Sequence, residues 1–237
     1  MSAAERAKTH SPLISYPQKA AFGRVLPKNK IYEHSGANTR LKELFVEQVE
    51  QIVCQYKLAP ETINLPARAS VPEVQIFSIE LKANDLHQDV LRCIDAAVQF
   101  PILFELHRGQ GERAQTQMVG TYKRRSEADA SRWVLSSYFA SDWLPAGTPR
   151  APLPLALDMA ALYEALLFRL IPLAHRSGES LADLIARVEQ AETKRREVEK
   201  AASRLAKEKQ FNRKVQINAT LRMLKYELEQ LVDQERT

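Results

Sequence analysis

No proline or glycine occurs between residues 179 and 237, the last part of the chain. Along the first half of this segment, a series of positions recurs at alternating spacings of three and four residues. All of these positions except Arg195 are apolar. They are Leu181, Leu184, Val188, Ala191, Arg195, Val198, Ala202 and Leu205. This spacing is typical of helices that pack side by side as coiled coils. We therefore expect residues 179–237 to form a helical, coiled-coil-like tail.

The second half of the tail carries another apolar series in a different register. Its members are Ile217, Leu221, Leu224, Leu228 and Leu231. The step from Leu205 to Ile217 is not a whole number of heptads, so the register changes around residues 210–214. A helical hairpin folding back there would bury both stripes within the chain, whereas one continuous helix would need a partner chain. The sequence leaves both arrangements open, and with them the oligomeric state.

Upstream of the tail, helical and strand patterns alternate. Apolar residues at helical spacing over 39–56 predict an amphipathic helix that ends before Pro60. Residues 61–65 and 74–82 predict two strands in a loose hairpin. A helix capped by Asn84 or Asp85 follows, then a strand at 102–106, and this order predicts a right-handed parallel crossover. Two further antiparallel strands are expected at 115–122 and 133–139.

The sequence therefore predicts an α/β (α+β) fold. Its elements are a mixed sheet with one parallel β-α-β crossover flanked by helices, and a C-terminal coiled-coil-like helical tail. Prolines before residue 38 favour an extended arm over a helix. The expected parts are an N-terminal arm (1–38), an α/β core domain (39–140), a covering loop and helix (141–178) and the tail (179–237).

Several short motifs occur in a fixed order along the chain. They are Leu-Pro-Lys at 26–28, the segments 58–65 and 74–82, Phe-Pro-Ile-Leu-Phe at 100–104, Ser-Asp-Trp at 141–143, and 208–215. In this order they resemble a bacterial and archaeal family catalogued as domain of unknown function 4391. The resemblance implies no reaction. It implies a setting, because members of that family tend to be encoded beside DNA methyltransferases and helicases of restriction and phage-defence islands.

Glu80 and Lys82 are the candidate catalytic residues, at the end of a predicted strand. Residues two apart on a strand point to the same face. In nucleases of the restriction-endonuclease superfamily such a carboxylate holds Mg²⁺ and the lysine orients water. Glu80 is accordingly the candidate metal ligand. The second acid that such a site needs is not evident, because Asn64 stands where it would be most useful; the possible substitutes are Glu43, Glu47, Glu61 and Glu73. The alternative interpretation is a solvent-facing charged pair.

Positive charge is concentrated in one part of the tail. The whole chain has a formal net charge of +5, and between residues 204 and 225 the single acid is Glu208. Phosphate contact needs mobile cations near a surface. The candidate nucleic-acid-binding residues are Lys207, Lys209, Arg213, Lys214 and Arg222, with Lys123, Arg124 and Arg125 as second candidates. A solvated helix face or a surface for a protein partner would carry the same charges.

These features favour an accessory interaction subunit of a DNA methyltransferase- and helicase-associated, restriction-type defence system. We expect it to bind a partner protein or itself through the C-terminal helices, and DNA or RNA through the basic tail. The alternative is a Mg²⁺-dependent, restriction-endonuclease-like nuclease that uses Glu80 and Lys82; otherwise no cofactor is expected. The polar start of the chain and the lack of a long apolar run predict a cytoplasmic protein outside the membrane.

Overall fold

The computed structural model describes residues 11–126, 128–129 and 132–233. The chain divides into two compact units, Met1–Leu170 and Ile171–Thr237. The sequence places the start of the tail slightly later, at residue 179. Residues 1–10 of the expected arm and 234–237 of the expected tail lie outside the described residues.

The first unit contains nine strands and five α-helices within its described residues. In chain order they are β1 (Ile14–Ser15), β2 (Ala21–Val25), α1 (Lys28–Ser35), α2 (Thr39–Gln48), β3 (Val49–Leu58), α3 (Pro60–Ile63), β4 (Val74–Leu81), α4 (Gln88–Ala97), β5 (Ile102–Arg108), β6 (Gln115–Arg125), β7 (Trp133–Ala140), β8 (Leu144–Pro145), β9 (Ala151–Pro152) and α5 (Met159–Phe168).

Seven of these strands form one mixed sheet. Its order is β2-β3-β4-β5-β6-β7, and β8 pairs with β6. Strands β4 and β5 are parallel and are joined through α4, while the other neighbours in this sheet are antiparallel. A separate parallel pair joins β1 to β9. The predicted α/β fold with one parallel β-α-β crossover is therefore confirmed.

The helix predicted over 39–56 is correct only in its first half. Asn38 caps α2, and its side chain accepts a hydrogen bond from the backbone N–H of Leu41 at 2.9 Å. The chain then becomes β3, which pairs with β2 on one side and β4 on the other. Ile52 and Val53 are β-branched and suit a strand. Ladder hydrogen bonds on both sides of β3 outweigh the helical spacing of its apolar residues.

Three other local predictions are wrong. The residue that caps α4 is His87, whose Nδ1 accepts a hydrogen bond from the backbone N–H of Asp89 at 3.2 Å, and not Asn84 or Asp85. The segment 61–65 is not a strand: it contains the end of α3, followed by Asn64 in the left-handed conformation at φ 56°. Strand β4 takes β3 as its antiparallel neighbour instead. The arm also contains a helix, α1, which follows Pro27, buries Ile31 and ends at Gly36 with φ 65°. Proline is tolerated at a helix start, so its presence there did not exclude one.

The two faces of the sheet are covered differently. An apolar core cluster that includes Phe45, Phe77, Ile94 and Phe104 covers the face toward α1, α2 and α4. On the other face, α5 approaches β6 at Gly120. A Cβ atom added there would lie 2.6 Å from Leu103 Cδ2, 3.0 Å from Leu167 Cδ2 and 3.1 Å from Leu170 Cδ1. The absence of a side chain at Gly120 therefore allows α5 to pack this close.

A buried ion pair fastens α4 to the sheet. The side chains of Lys123 on β6 and Asp95 on α4 have 0% exposure, and Lys123 Nζ lies 3.6 Å from Asp95 Oδ1. The same ammonium donates to the carbonyls of Asp95 at 2.6 Å and Val98 at 2.5 Å, and Tyr138 Oη donates to Asp95 Oδ2 at 2.5 Å. Burial raises the pKa of Asp95 to about 6 and lowers the pKa of Lys123. Lys123 is therefore a structural residue, and its burial removes it from the second set of phosphate-binding candidates.

The second unit contains a helical hairpin of α6 (Leu181–Lys207) and α7 (Phe211–Val232). The helices are antiparallel, because Lys194 pairs with Glu227 at 2.8 Å and Arg187 Nη1 donates to the carbonyl of Leu231 at 2.8 Å. The turn at 208–210 adjoins the predicted change of register. Of the two arrangements that the sequence left open, the structure has the hairpin. Within the described ranges, no helix is long and apolar enough to cross a membrane.

Replacing Gly120 with alanine should lower the free energy of unfolding by about 1–3 kcal/mol, because the new methyl group overpacks the contact with α5. Gly147→Ala is the matched control, since a Cβ atom there meets nothing within 4 Å; its effect should stay within about 0.5 kcal/mol. Urea unfolding of the two variants measures both values. Equal effects would contradict the close approach of α5 at Gly120.

Lys123→Met should cost about 3–5 kcal/mol, because it leaves Asp95 buried without its cation. The pKa of Asp95 in the folded state is already above its ordinary value, so this carboxyl stabilises the fold most at low pH and less as pH rises toward 6. Without Lys123 that pKa should rise further. The variant should therefore lose more stability than the wild type between pH 5 and pH 8.

The double variant Lys123→Met/Asp95→Asn removes the titrating group and should lose the additional pH dependence. Urea unfolding at several pH values distinguishes the three proteins. A Lys123→Met profile parallel to that of the wild type would show that Asp95 does not depend on this cation.

Candidate functional site

Lys82 lies at the carboxyl end of α2. Its Nζ atom lies 3.5 Å from Glu50 Oε2 and donates to the carbonyl of Val46 at 3.2 Å. Lys28 reaches the same helix end, where its Nζ atom donates to the carbonyls of Phe45, at 3.1 Å, and Val49. Cations stabilise the carboxyl end of a helix because the last carbonyl groups lack partners. The ammonium of Lys82 can therefore stabilise the carboxyl end of α2, which is a structural role.

Glu80 is exposed near the end of β4. Its Cα partners are Gln51 on β3 and His107 on β5. Glu50 lies at a register shift of β3, between the pairs that Val49 and Gln51 make with β4. The structure thus places Glu80 beside His107 in the sheet, and brings the Glu50 carboxylate to the Lys82 ammonium.

Of the four acids that the sequence offered as a second metal ligand, Glu43 and Glu47 lie on α2, and the other two are engaged or elsewhere. Glu73 lies 3.7 Å from Lys57, and Glu61 lies on α3 beside a different cleft. Among the residues that the structure describes, no group of three or more His, Cys, Asp or Glu side chains is arranged to hold a metal ion. A three-ligand metal centre at Glu80 is therefore not formed by this part of the chain, and the role of Glu80 in holding Mg²⁺ stays a prediction.

Polar side chains that sequence analysis did not select meet on the sheet face opposite the apolar core. Glu105 on β5 accepts two hydrogen bonds from Arg150, with Nη1–Oε1 at 2.7 Å and Nη2–Oε2 at 2.8 Å. Arg150 Nη1 also donates to the carbonyl of Ile14 at 2.8 Å. His107 Nδ1 lies 3.1 Å from Thr116 Oγ1. These contacts join the first strand, the sheet and the loop before β9.

These groups border a space of about 360 Å³, which we call the polar cavity. It is lined by Ile14, Ser15, Tyr16, Gln55, Tyr56, Ser78, Glu105, His107 and Arg150. A wider cleft of about 1010 Å³ shares Ser15, Tyr16 and Arg150 with the polar cavity and also contains Lys19. The two spaces therefore adjoin along one wall.

Tyr16 stands in that shared wall. Its ring centroid lies 4.9 Å from that of Tyr56, and its buried hydroxyl has no hydrogen-bond partner among the described residues. Burial, reinforced by the nearby Glu105 carboxylate, raises the pKa of Tyr16 well above its usual value. The hydroxyl is therefore protonated at neutral pH.

One sequence feature could have indicated this site. Glu105 interrupts the apolar run of β5, where a charged side chain must find a partner if it is buried. Ser78 and Glu105 are Cα partners on parallel strands, so their alternation with apolar neighbours predicts a shared face. Arg150 lies in a proline-rich loop, and no local pattern connects it to Glu105.

The turn of the hairpin brings most of the predicted nucleic-acid-binding residues together. Lys207 ends α6, Lys209 lies in the turn, and Arg213 and Lys214 lie in the first turn of α7. Glu208 accepts backbone hydrogen bonds from Lys209 at 2.8 Å and Gln210 at 2.9 Å. These bonds, with the nearby cations, lower its pKa. Arg222 lies farther along α7, apart from this hairpin tip.

The seam between α6 and α7 is incompletely filled. A groove of about 400 Å³ runs between the helices and is lined by Glu197, Lys200, Ala201, Arg204, Ile217, Thr220 and Leu224. The seam residues Val198, Leu205, Ile217, Leu224 and Leu228 are only half-buried. The small side chains of Ala201 and Thr220 leave room between the two helices.

Comparison with known proteins gives a family and no activity. No curated protein and no solved structure matches the chain. The sequence model of a family described as Domain of unknown function (DUF4391) matches residues 14–228. The match covers most of the chain and includes all the motifs that carry the resemblance. The chain therefore belongs to the DUF4391 family.

Proposed function

We propose that the protein is an accessory interaction subunit whose hairpin binds a helix of a partner protein. The half-buried seam of the hairpin is the observation that carries this proposal. Two helices cover each other on one side only, so apolar seam residues stay accessible until a further helix packs against them. The groove beside Ala201 supplies the space for such a helix.

The groove indicates the chemistry of the partner. Its floor is apolar at Ala201, Ile217 and Leu224, and its rim carries the cations Lys200 and Arg204. An amphipathic helix with an apolar stripe and acidic flanking residues would complement both features. Glu197 on the same rim favours a basic residue at one position of that helix.

The setting implied by the family resemblance suggests which assembly contains the partner. We propose a restriction-type defence assembly with a DNA methyltransferase and a helicase. The hairpin tip supports a contact with DNA or RNA in such an assembly, because Lys207, Lys209, Arg213 and Lys214 are exposed together. The amino end of α7 adds a partial positive charge at the same place.

Reversal of the two rim cations, Lys200→Glu with Arg204→Glu, should abolish co-purification with the DNA methyltransferase and helicase of the proposed assembly. Both side chains are exposed, so the hairpin should remain helical by circular dichroism. The matched control reverses three tip cations, Lys209→Glu, Arg213→Glu and Lys214→Glu, and should leave co-purification intact.

The same two variants distinguish protein binding from nucleic-acid binding. Fluorescence anisotropy with labelled DNA and RNA should show weaker binding of the tip variant to every sequence, with a shallower dependence of log K on log salt concentration. The rim variant should bind nucleic acid nearly as the wild type does. Co-purification that survives rim reversal would contradict the docking role of the groove.

A second candidate function is the Mg²⁺-dependent nuclease at Glu80 and Lys82. The specific observation in its favour is the position of Glu50, which contributes a second carboxylate beside this lysine. Such a site would bind Mg²⁺ weakly, because only two carboxylates would hold the ion.

Glu80→Gln should abolish Mg²⁺-dependent cleavage of DNA or RNA if this nuclease exists, because it removes the charge and keeps the shape. Lys82→Ala should have the same effect. Incubation of the purified protein with nucleic acid and Mg²⁺ or Mn²⁺ measures this. If the residues are structural, there is no cleavage, and each exposed substitution should change the stability by less than about 1 kcal/mol.

A further inference from the structure

The polar cavity and the adjoining cleft contain features that the interaction role does not use. The cavity combines an aromatic wall, formed by Tyr16 and Tyr56, with polar groups on β3, β4 and β5. Cavities of this size are typical of small-molecule sites, where a few polar groups fix the orientation of a ligand.

The charges of the cavity cancel, and this limits its ligand. Glu105 and Arg150 form a bidentate pair, so neither is left to neutralise an ion inside. The other polar groups include the Gln55 amide, the Ser78 hydroxyl and the imidazole of His107, and each of these three can both donate and accept hydrogen bonds. His107 Nε2 lies 4.0 Å from Glu105 Oε2, beyond hydrogen-bond distance. Such a set suits an uncharged polar group with its own donors and acceptors.

The position of Gln55 supports a site rather than an ordinary strand surface. The register of β3 with β4 shifts between Cys54 and Tyr56, so Gln55 stands in a bulge. Bulges occur often beside functional sites, where they redirect a side chain out of the regular alternation. Here the bulge lets two consecutive residues, Gln55 and Tyr56, line the polar cavity together.

The wider cleft differs in its charge. Lys19 is exposed on it, and Arg150 lies in the wall that both spaces share. The Arg150 side chain is 34% exposed despite its pairing with Glu105. Glu61 also lines the cleft, and Arg150 is already paired with Glu105. Lys19 is therefore the cation that the cleft offers to an anion, next to the neutral polar cavity.

We propose that the two spaces together bind a nucleotide, with the base in the polar cavity against the tyrosines and the phosphate in the cleft near Lys19 and Arg150. A base is flat, uncharged and carries hydrogen-bond donors and acceptors on its edge, which matches aromatic stacking and amide or hydroxyl recognition. The phosphate matches the ammonium of Lys19. The nucleotide is either a free mononucleotide or the end of a nucleic-acid strand.

Isothermal titration calorimetry on the full chain tests this proposal with adenosine 5′-monophosphate, uridine 5′-monophosphate, the two nucleosides and inorganic phosphate. At least one monophosphate should bind saturably, and more tightly than its nucleoside or phosphate alone. Gln55→Ala should weaken the binding of monophosphate and nucleoside by about tenfold each. Lys19→Ala should weaken the binding of the monophosphate and leave the binding of the nucleoside unchanged.

Two control variants match these substitutions. Gln51→Ala removes an exposed glutamine from the same strand, and Lys30→Ala removes an exposed lysine from α1; neither residue lines the two spaces. Both controls should bind as the wild type does. Thermal melts establish that all four variants are folded.

Competition with a 5′-phosphorylated single-stranded oligonucleotide separates the two sources of the ligand. If the oligonucleotide displaces the mononucleotide from the wild type, and does not bind to Gln55→Ala, the site binds a strand end. If it displaces nothing, the site binds a free mononucleotide. The proposal is overturned if no monophosphate binds saturably up to about 5 mM. It is equally overturned if phosphate alone binds as tightly, or if Gln51→Ala weakens binding as much as Gln55→Ala.

Discussion

The buried ammonium group of Lys123 contacts the carboxyl end of α4, and the arrangement of the sheet depends on this contact. Lys123 comes from β6, the groups that it contacts come from the end of α4, and Tyr138 on β7 completes the contact with Asp95. The crossover helix and the two strands beyond β5 are thus held by one set of polar contacts. Because removal of either partner leaves an uncompensated buried charge, the sheet and the helix must form together.

The same sheet has two chemically different faces. Toward α1, α2 and α4 it is apolar. On the other face, the α5 contact at Gly120 is apolar, while the area near the ends of β4 and β5 carries Ser78, Glu105 and His107. The buried pair fixes the first face, and the Glu105–Arg150 pair organises the second. The proposed interaction through the hairpin and the proposed ligand binding in the first unit therefore use different parts of the chain.

Elements with strong local patterns were predictable from the sequence. The crossover, the strands at 115–122 and 133–139 and the helices of the tail follow from periodicity and from the positions of prolines. Strand β3 was not predictable in this way, because its apolar residues match a helical spacing as well as a strand. Only its pairing with β2 and β4, which no local pattern of β3 indicates, decides between the two.

The candidate site was less predictable than the fold, since its contacts join residues far apart in sequence. Spacing suggested that Lys82 acts with Glu80, but the strand ends before Lys82 and its ammonium turns to α2. Likewise, Lys123 is a basic residue like its neighbours Arg124 and Arg125. Only the position of its side chain on a covered face of β6 shows that Lys123 is buried. Local patterns do not identify the partner of a side chain across a sheet.

The pairing of β1 with β9 has a consequence for the order of folding during synthesis. Ile14 is the partner of Ala151, and its carbonyl accepts a hydrogen bond from Arg150. At the usual rate of translation, β1 leaves the ribosome on the order of ten seconds before β9. Most of the apolar core cluster comes from α1, α2, β3, β4, α4 and β5, and Val119 and Lys123 of β6 complete that face next. The polar face is completed last, and a chain interrupted before Arg150 would hold Glu105 without its cation, on a surface still open to water and to chaperones.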